Sequence, residues 1–313
     1  MSLDRAASSP LEFAPASNIR LSERTLQRIC SLIYKLAGIS IDSSKQQLIR
    51  SRLTKRLNIT GETTFEAYLD KHIEPHAQAG HKPKTAGGKK DEVTEFIDAL
   101  CTNLTSFFRE NQHFNLIRDH LMPHLFKVRG ETRRIRLWNA GCSTGEEPYT
   151  LAMTVRAALE SHQASIPPAS RGPWDIQILA TDISTKVLQV AANGVYPASR
   201  CTGIPPAMQG KYIAPRRMPD GTEALAIAPQ VRQMVKFRHL NLNEPWPFNG
   251  KFDAIMCRNV MIYFDKPTQT RLVSRFHEHL ERGGLFFTGH SESLTGIRHP
   301  FTARQAAVYE RTR

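Results

Sequence analysis

The segment Leu137-Trp-Asn-Ala-Gly-Cys-Ser-Thr-Gly-Glu-Glu147 reads as a strand, a turn containing Gly141 and Gly145, and the start of a helix. Glycines at such a turn let backbone approach a ligand closely, and a helix N-terminus offers unpaired N–H groups. Dinucleotide folds hold pyrophosphate this way, although a plain tight turn would look the same. The GxGxxG spacing is absent, and Glu146 and Glu147 stand where a pyrophosphate needs room and positive potential. Acidic residues suit a cationic ligand instead, such as a sulfonium bearing an ammonium group. Asp182, at the end of a second strand, can accept bonds from both hydroxyls of a ribose, or can simply cap the helix that follows near Thr185. Asn241, after a third strand, carries an amide able to read adenine.

Other reactive constellations are weaker. His120 and His124 are spaced i,i+4, but Pro123 intervenes and no adjacent Glu completes a zincin pattern. His277 and His279 cannot share a helix face. No metal is expected. His290-Ser-Glu-Ser293 invites a hydrolase reading, but no GxSxG elbow accompanies it, so the segment is expected to shape the C-terminal edge of a sheet.

The elements that position these residues alternate. Strands are predicted over Ile135–Asn139, Ile176–Thr181, Val235–Leu240, Phe252–Cys257, Gly284–Thr288 and Ala306–Arg311, with helices near Pro148–Glu160, from Lys186, and over Thr268–Glu281. Such alternation predicts a doubly wound α/β sheet. Between about 196 and 233 it breaks into short apolar segments with Pro219-Asp220-Gly221, a small insertion with hairpin character or a long irregular loop. Upstream, Leu26, Ile29, Ile33 and Leu36 recur at helical spacing, Gly38 ends that helix, and a second helix runs from Ser44 to Leu57. The resulting division is a disordered start (1–17), a helical N-terminal domain (18–74), a linker or mobile loop (75–91) and a larger domain (92–313).

Composition narrows the setting. The 42 basic and 29 acidic residues leave a net charge of +13, which suits an acidic partner (nucleic acid, an anionic membrane surface or an acidic protein) or serves no electrostatic function. The five cysteines form no CxxC pair, so neither a zinc knuckle nor a disulfide framework is indicated. No run reaches the roughly 18 apolar residues of a membrane span, and residues 1–15 do not read as a signal peptide. A reduced cytoplasm fits all of this.

Four motifs occur in order: Thr102-Asn-Leu-Thr-Ser-Phe-Phe-Arg-Glu110, Asn139-Ala-Gly-Cys-Ser-Thr-Gly-Glu-Glu-Pro-Tyr149, Phe252-Asp-Ala-Ile-Met-Cys-Arg-Asn-Val-Met-Ile-Tyr-Phe-Asp265 and Gly289-His-Ser-Glu-Ser293. Together they resemble the CheR family of chemotaxis receptor methyltransferases, over about Leu21 to Tyr309. The resemblance implies a small all-α domain followed by a class I S-adenosylmethionine-dependent methyltransferase domain, Rossmann-like, with a small β-subdomain. It implies S-adenosylmethionine as cofactor and S-adenosylhomocysteine as product. Its cofactor contacts fall on Asn103, Thr105, Arg109, Glu147, Asp182, Asn241, Leu242, Arg258 and Asn259, beside Gly141 of the turn; Glu146 remains the alternative to Glu147. It implies that Arg109 and Tyr263 lie near the transferred methyl, whereas Tyr263 read alone could equally be a core aromatic.

The implied activity is methylation of glutamate side chains on bacterial chemoreceptors, by a monomer that works in the cytoplasm at receptor arrays. A receptor C-terminal tether is bound by some relatives and not by others. In the second helix, Lys45, Arg52, Lys55 and Arg56 cover one face beside the apolar Ile49, Leu53 and Leu57. That face is either solvated or a docking surface for the acidic helical bundle of a receptor. A nucleic-acid methyltransferase would share the fold and the charge, but the Asn/Asp-Pro-Pro-Tyr/Phe signature of base-amine enzymes is replaced by Arg258-Asn-Val-Met-Ile-Tyr263. A non-catalytic module that binds S-adenosylmethionine as a signal is the other alternative.

Overall fold

The computed structural model describes residues 19–77, 81–83, 85–86, 89–218 and 220–312. The expected disordered start, part of the expected linker and Pro219 of the expected turn lie outside these residues. The chain divides into two compact units, Met1–Leu36 with Ile41–Leu100, and Ala37–Ser40 with Cys101–Arg313.

The first unit is helical. Helix α1 (Glu23–Ala37) buries Leu26, Ile29, Ile33 and Leu36, the predicted stripe. Asp42 accepts the Ser44 N–H at 2.7 Å and opens a short 3-10 turn into α2 (Gln46–Thr60). Helix α2 buries Ile49, Leu53 and Leu57 and stops at Gly61, whose φ of 76° suits a C-cap glycine. Helix α3 (Glu92–Leu100) belongs to this unit, which moves the expected boundary at 91/92 to 100/101. The cause is a set of bonds that only the fold creates. Arg56 on α2 meets Glu92 at 2.6 Å and Glu95 at 3.0 Å, and the Tyr68 hydroxyl donates to Glu92 at 2.8 Å. Within the expected linker, Thr85–Ala86 pairs antiparallel with Lys89–Lys90, a ladder too short to leave a periodic signal.

The second unit is built on a seven-stranded sheet. Its strands are β1 (Arg134–Ala140), β2 (Asp175–Asp182), β6 (Val235–His239), β7 (Phe252–Cys257), β8 (Leu280–Thr288), β9 (Thr302–Gln305) and β10 (Val308–Glu310). The spatial order is β9-β10-β8-β7-β1-β2-β6; the five strands from β8 to β6 run parallel, and β10 is antiparallel to β8 and β9. The single final strand expected from sequence is thus a hairpin, turning at Ala307 with φ 59°. Every residue of β7 is buried, as its unbroken apolar run requires. Leu137, Ile178, Met256 and Phe287 pack one core, and Trp138, Ile255, Phe276 and Phe286 the other. The chain leaves β1 toward β2 on one side and later enters β7 on the other. The C-terminal ends of β1 and β7 therefore flank a topological switch point, where doubly wound sheets bind ligands.

The insertion between β2 and β6 is a small sheet of its own. Strands β3 (Val195–Pro197), β4 (Ile213–Arg217) and β5 (Glu223–Ile227) pair antiparallel in the order β3-β5-β4. The β4–β5 turn has Gly221 at φ 83° and Asp220 accepting the Thr222 N–H at 2.9 Å, the turn chemistry its sequence calls for.

Candidate active site

The turn after β1 is fixed by sterics and by a carboxylate. Gly141 sits at φ 80°, and a Cβ there would fall 2.2 Å from Val260 Cγ2, so only glycine lets this turn close on the segment after β7. Helix α4 (Glu146–Ser165) begins directly beyond it. Asp182, buried at the end of β2, accepts the Ser143 N–H at 2.8 Å through Oδ2 and the Ser184 N–H at 2.9 Å through Oδ1. The helix-capping role open to Asp182 in the sequence falls instead to Ser184, whose side chain accepts from Val187 N at the start of α5 (Thr185–Asn193). Ser143 Oγ donates to the Asn103 carbonyl at 2.8 Å, which ties the 102–110 loop to the same turn. Thr105 lies half-buried in that loop.

Asn241 and Leu242 follow β6 and are buried. The Leu240 N–H bonds the Asp182 carbonyl at 3.0 Å, so this segment and the end of β2 lie together. Asn241 Oδ1 accepts the Asn243 N–H at 3.0 Å, an Asx turn that orients its amide.

The two glutamates at the start of α4 go separate ways. Glu146 is fully buried among Thr144 Oγ1, at 2.7 Å, and the Arg200 guanidinium from the insertion; burial pushes its pKa up. Glu147 turns to the switch point. Asn139 Nδ2 donates to it at 2.6 Å and Arg258 Nη1 lies 3.0 Å from it. Arg258, 3% exposed, also donates through Nη2 to the Arg109 carbonyl at 2.6 Å and to Glu110 at 3.0 Å. Burial alone would raise the pKa of Glu110, but the charge and hydrogen bond of Arg258 outweigh it and hold it low. Asn259 Nδ2 reaches Glu110 at 3.5 Å. One buried network thus joins Glu147, Arg258, Asn259 and the backbone of Arg109. Among the described residues, the buried Asn139 Oδ1 and Arg258 Nε have no hydrogen-bond partner.

Arg109 itself is half-buried, and its Nη1 donates to the Leu104 carbonyl at 3.1 Å inside its own loop. Tyr263 closes a short 3-10 turn (Met261–Tyr263) after β7, half-buried, with its carbonyl accepting the Ser40 N–H at 2.8 Å.

The basic face predicted for docking is not uniform. Lys45 and Lys55 are exposed, but Arg56 is spent on Glu92 and Glu95, and Arg52 donates to the Leu100 carbonyl at 2.9 Å. Helical spacing sets which side chains share a face; it cannot reveal the acids and carbonyls that another helix brings to them.

Three residues escaped the sequence reading. Glu110 closes the Thr102–Glu110 motif, yet its pairing with Arg258 depends on a contact across 148 residues. His113 is 1% exposed and neither ring nitrogen has a hydrogen-bond partner among the described residues, although Nδ1 lies 3.8 Å from Glu110; burial and the nearby Arg258 charge lower its pKa to about 4. Its ring atoms, Glu110 and His290 lie within 4.8 Å of one another, but Arg258 already neutralises that carboxylate. Glu292, in the segment expected to shape the sheet edge, is buried and bonds the backbone after β7.

A glycine turn after the first strand, a carboxylate ending the second and a buried Arg–Glu pair across the switch point define the class: a Rossmann-like, S-adenosylmethionine-dependent methyltransferase. Residues 103–309 match the family model described as "CheR methyltransferase, SAM binding domain", and residues 24–75 match "CheR methyltransferase, all-alpha domain". Relatives include "Chemotaxis protein methyltransferase 2" of Pseudomonas aeruginosa, 39% identical over 90% of this chain and 91% of its own length. "Chemotaxis protein methyltransferase" of Escherichia coli is 36% identical over 93% of this chain and 92% of its own. "Probable chemotaxis protein methyltransferase" of Rhizobium etli is 35% identical over 90% and 97%. The chain belongs to the CheR methyltransferase family.

Proposed function

We propose that this protein methylates glutamate side-chain carboxylates of bacterial chemoreceptors, in the cytoplasm at receptor arrays, and leaves glutamate methyl esters and S-adenosylhomocysteine. The observation that carries the reading is the buried network linking Glu147, Arg258, Asn259 and the Arg109 backbone at the switch point, in a chain matched by both CheR domains. No helix among the described residues is long and apolar enough to cross a membrane, which accords with a partner reached from solution.

The residues present fit S-adenosylmethionine. Asn139 Oδ1 and Arg258 Nε are buried and unsatisfied, the situation of groups that wait for a ligand. Glu147 would receive the cationic amino-acid end, Asp182 the ribose hydroxyls, and Asn241 with Leu242 the adenine. Between the two glutamates the choice falls on Glu147, because Glu146 is enclosed by Arg200 and Thr144. When bound, the cofactor supplies an electrophilic methyl on a positively charged sulfur. The chain's task is then alignment. A glutamate with an ordinary pKa of about 4.3 is already a carboxylate at neutral pH and requires no general base. Arg109 would hold one acceptor oxygen by a charge-assisted bond, and the Tyr263 hydroxyl would donate to the carboxylate.

The test is transfer of labelled methyl to purified receptor. Glutamate methyl esters release the label as methanol in mild base. Label that survives base would place the methyl on nitrogen or an ether oxygen and refute the reading.

A further inference from the structure

Glu292 lies just beyond β8 and is 6% exposed. Its Oε2 accepts the N–H groups of Asn259 at 2.6 Å and Gly289 at 2.7 Å; its Oε1 accepts the N–H of Ile262 at 3.1 Å. One buried carboxylate therefore staples the exit of β8 to the exit of β7. The neighbourhood is shaped for it. A Cβ on Gly289 would lie 2.5 Å from Asn259 Nδ2 and 2.8 Å from Glu292 Oε2. Asn259 sits at φ 58°, a left-handed conformation that a non-glycine residue enters at a cost and keeps only when its surroundings hold it there. Val260 and the Met261–Tyr263 turn follow at once, so fixing the Asn259 and Ile262 amides fixes the backbone that ends in Tyr263. A glutamine would not substitute. It has one acceptor oxygen, and its NH2 would face backbone donors.

We infer that Glu292 is a positioning residue for methyl transfer: its carboxylate holds the Asn259–Tyr263 turn in the conformation that presents Tyr263 to the acceptor. The inference rests on the role proposed above for Tyr263. A carboxylate that only stabilised the fold would slow the reaction independently of Tyr263; one that acts through Tyr263 would not.

A double-mutant cycle separates these cases. Single-turnover transfer to receptor at saturating S-adenosylmethionine is measured for wild type, Tyr263→Phe, Glu292→Gln and the double variant. Glu292→Gln is expected to be tenfold or more slower than wild type, yet to slow the Tyr263→Phe enzyme by less than threefold. A Glu292→Gln rate within twofold of wild type, or effects that multiply fully, would overturn the inference and leave the Tyr263 reading standing. A Tyr263→Phe rate within twofold of wild type would instead remove the Tyr263 reading and this inference with it. Should Glu292→Gln fail to fold, Glu292→Asp, which keeps the charge but shortens the reach, and Gly289→Ala, which crowds the staple, carry the same cycle with the same criteria.

Discussion

At the residue scale, the backbone and side chain of Arg109 are held independently, and that makes its role testable. Arg258 anchors the Arg109 carbonyl, so truncation of the side chain leaves the loop fastened. Arg109→Ala is therefore expected to lower single-turnover transfer at least a hundredfold while the melting temperature stays within about 2 °C; a rate near wild type would place the guanidinium outside the reaction. The pH profile is a second check. With a carboxylate acceptor already ionised, the wild-type rate should be flat from about pH 6 to 8.5. A steep rise near 7 would reopen an amine or hydroxyl acceptor. Asp182 is different, because it bonds two backbone amides and is also the residue proposed above to receive the ribose hydroxyls. Asp182→Asn should weaken S-adenosylhomocysteine binding by the value of charged hydrogen bonds, about 1.5–3 kcal/mol, which is roughly ten- to hundredfold in Kd. Unchanged affinity by calorimetry would confine Asp182 to shaping the turn.

At the element scale, α2 shows what a sequence conveys and what it withholds. The burial of Ile49, Leu53 and Leu57 was legible from spacing, because a helix period is a property of one segment. The fate of Arg56 was not, since its partners Glu92 and Glu95 arrive from α3 and only packing brings them. The same division runs through the site. Gly141, Asp182 and the strand ends were legible because turn chemistry and strand exits are local. Glu110 and Glu292 stand inside recognisable motifs, but their partners, and the surroundings of His113, come from distant segments and left no spaced pattern. A consequence for α2 is that its cations should separate by assay. Arg56→Glu places like charges together at a side chain only 14% exposed, and should lower the melting temperature by several degrees. Lys45→Glu with Lys55→Glu should leave it unchanged. Equal melting temperatures for both variants would return Arg56 to the solvent face. His113, in the helical run that follows Arg109, gives this scale its pH dependence. Its pKa falls from 6.5 to about 4 on folding. Between those values the unfolded chain binds a proton that the folded one refuses. The stability it contributes is complete above about pH 6.5 and drains away as the pH drops toward 4, by up to about 3 kcal/mol. His113→Leu should flatten this part of the acid-unfolding curve; an unaltered curve would show that the ring takes up its proton in the fold as readily as in the unfolded chain.

At the scale of the whole molecule, the excess of 42 basic over 29 acidic residues gains meaning from where charge is spent. Several arginines are consumed internally: Arg258 on Glu110 and Glu147, Arg56 on Glu92 and Glu95, Arg129 on Asp253. Exposed cations such as Lys45, just before α2, and Arg50 and Lys55 on it remain to face solvent, beside the exposed apolar Leu48. Charges of this kind add little to a static complex, but they steer encounter with an acidic partner and do so less as salt screens them. Such steering affects association and leaves the chemical step alone. For an acidic receptor bundle, kcat/KM should fall about tenfold or more between low salt and 0.5 M, where the Debye length shrinks to about 4 Å. The single-turnover rate at saturating receptor should stay constant over the same range. Lys45→Glu with Lys55→Glu should lower kcat/KM at low salt, converge with wild type at high salt and leave S-adenosylhomocysteine affinity untouched. If the double variant matches wild type at low salt, the exposed face of α2 takes no part in docking, and the search for the receptor-facing surface moves to the cations of the second unit.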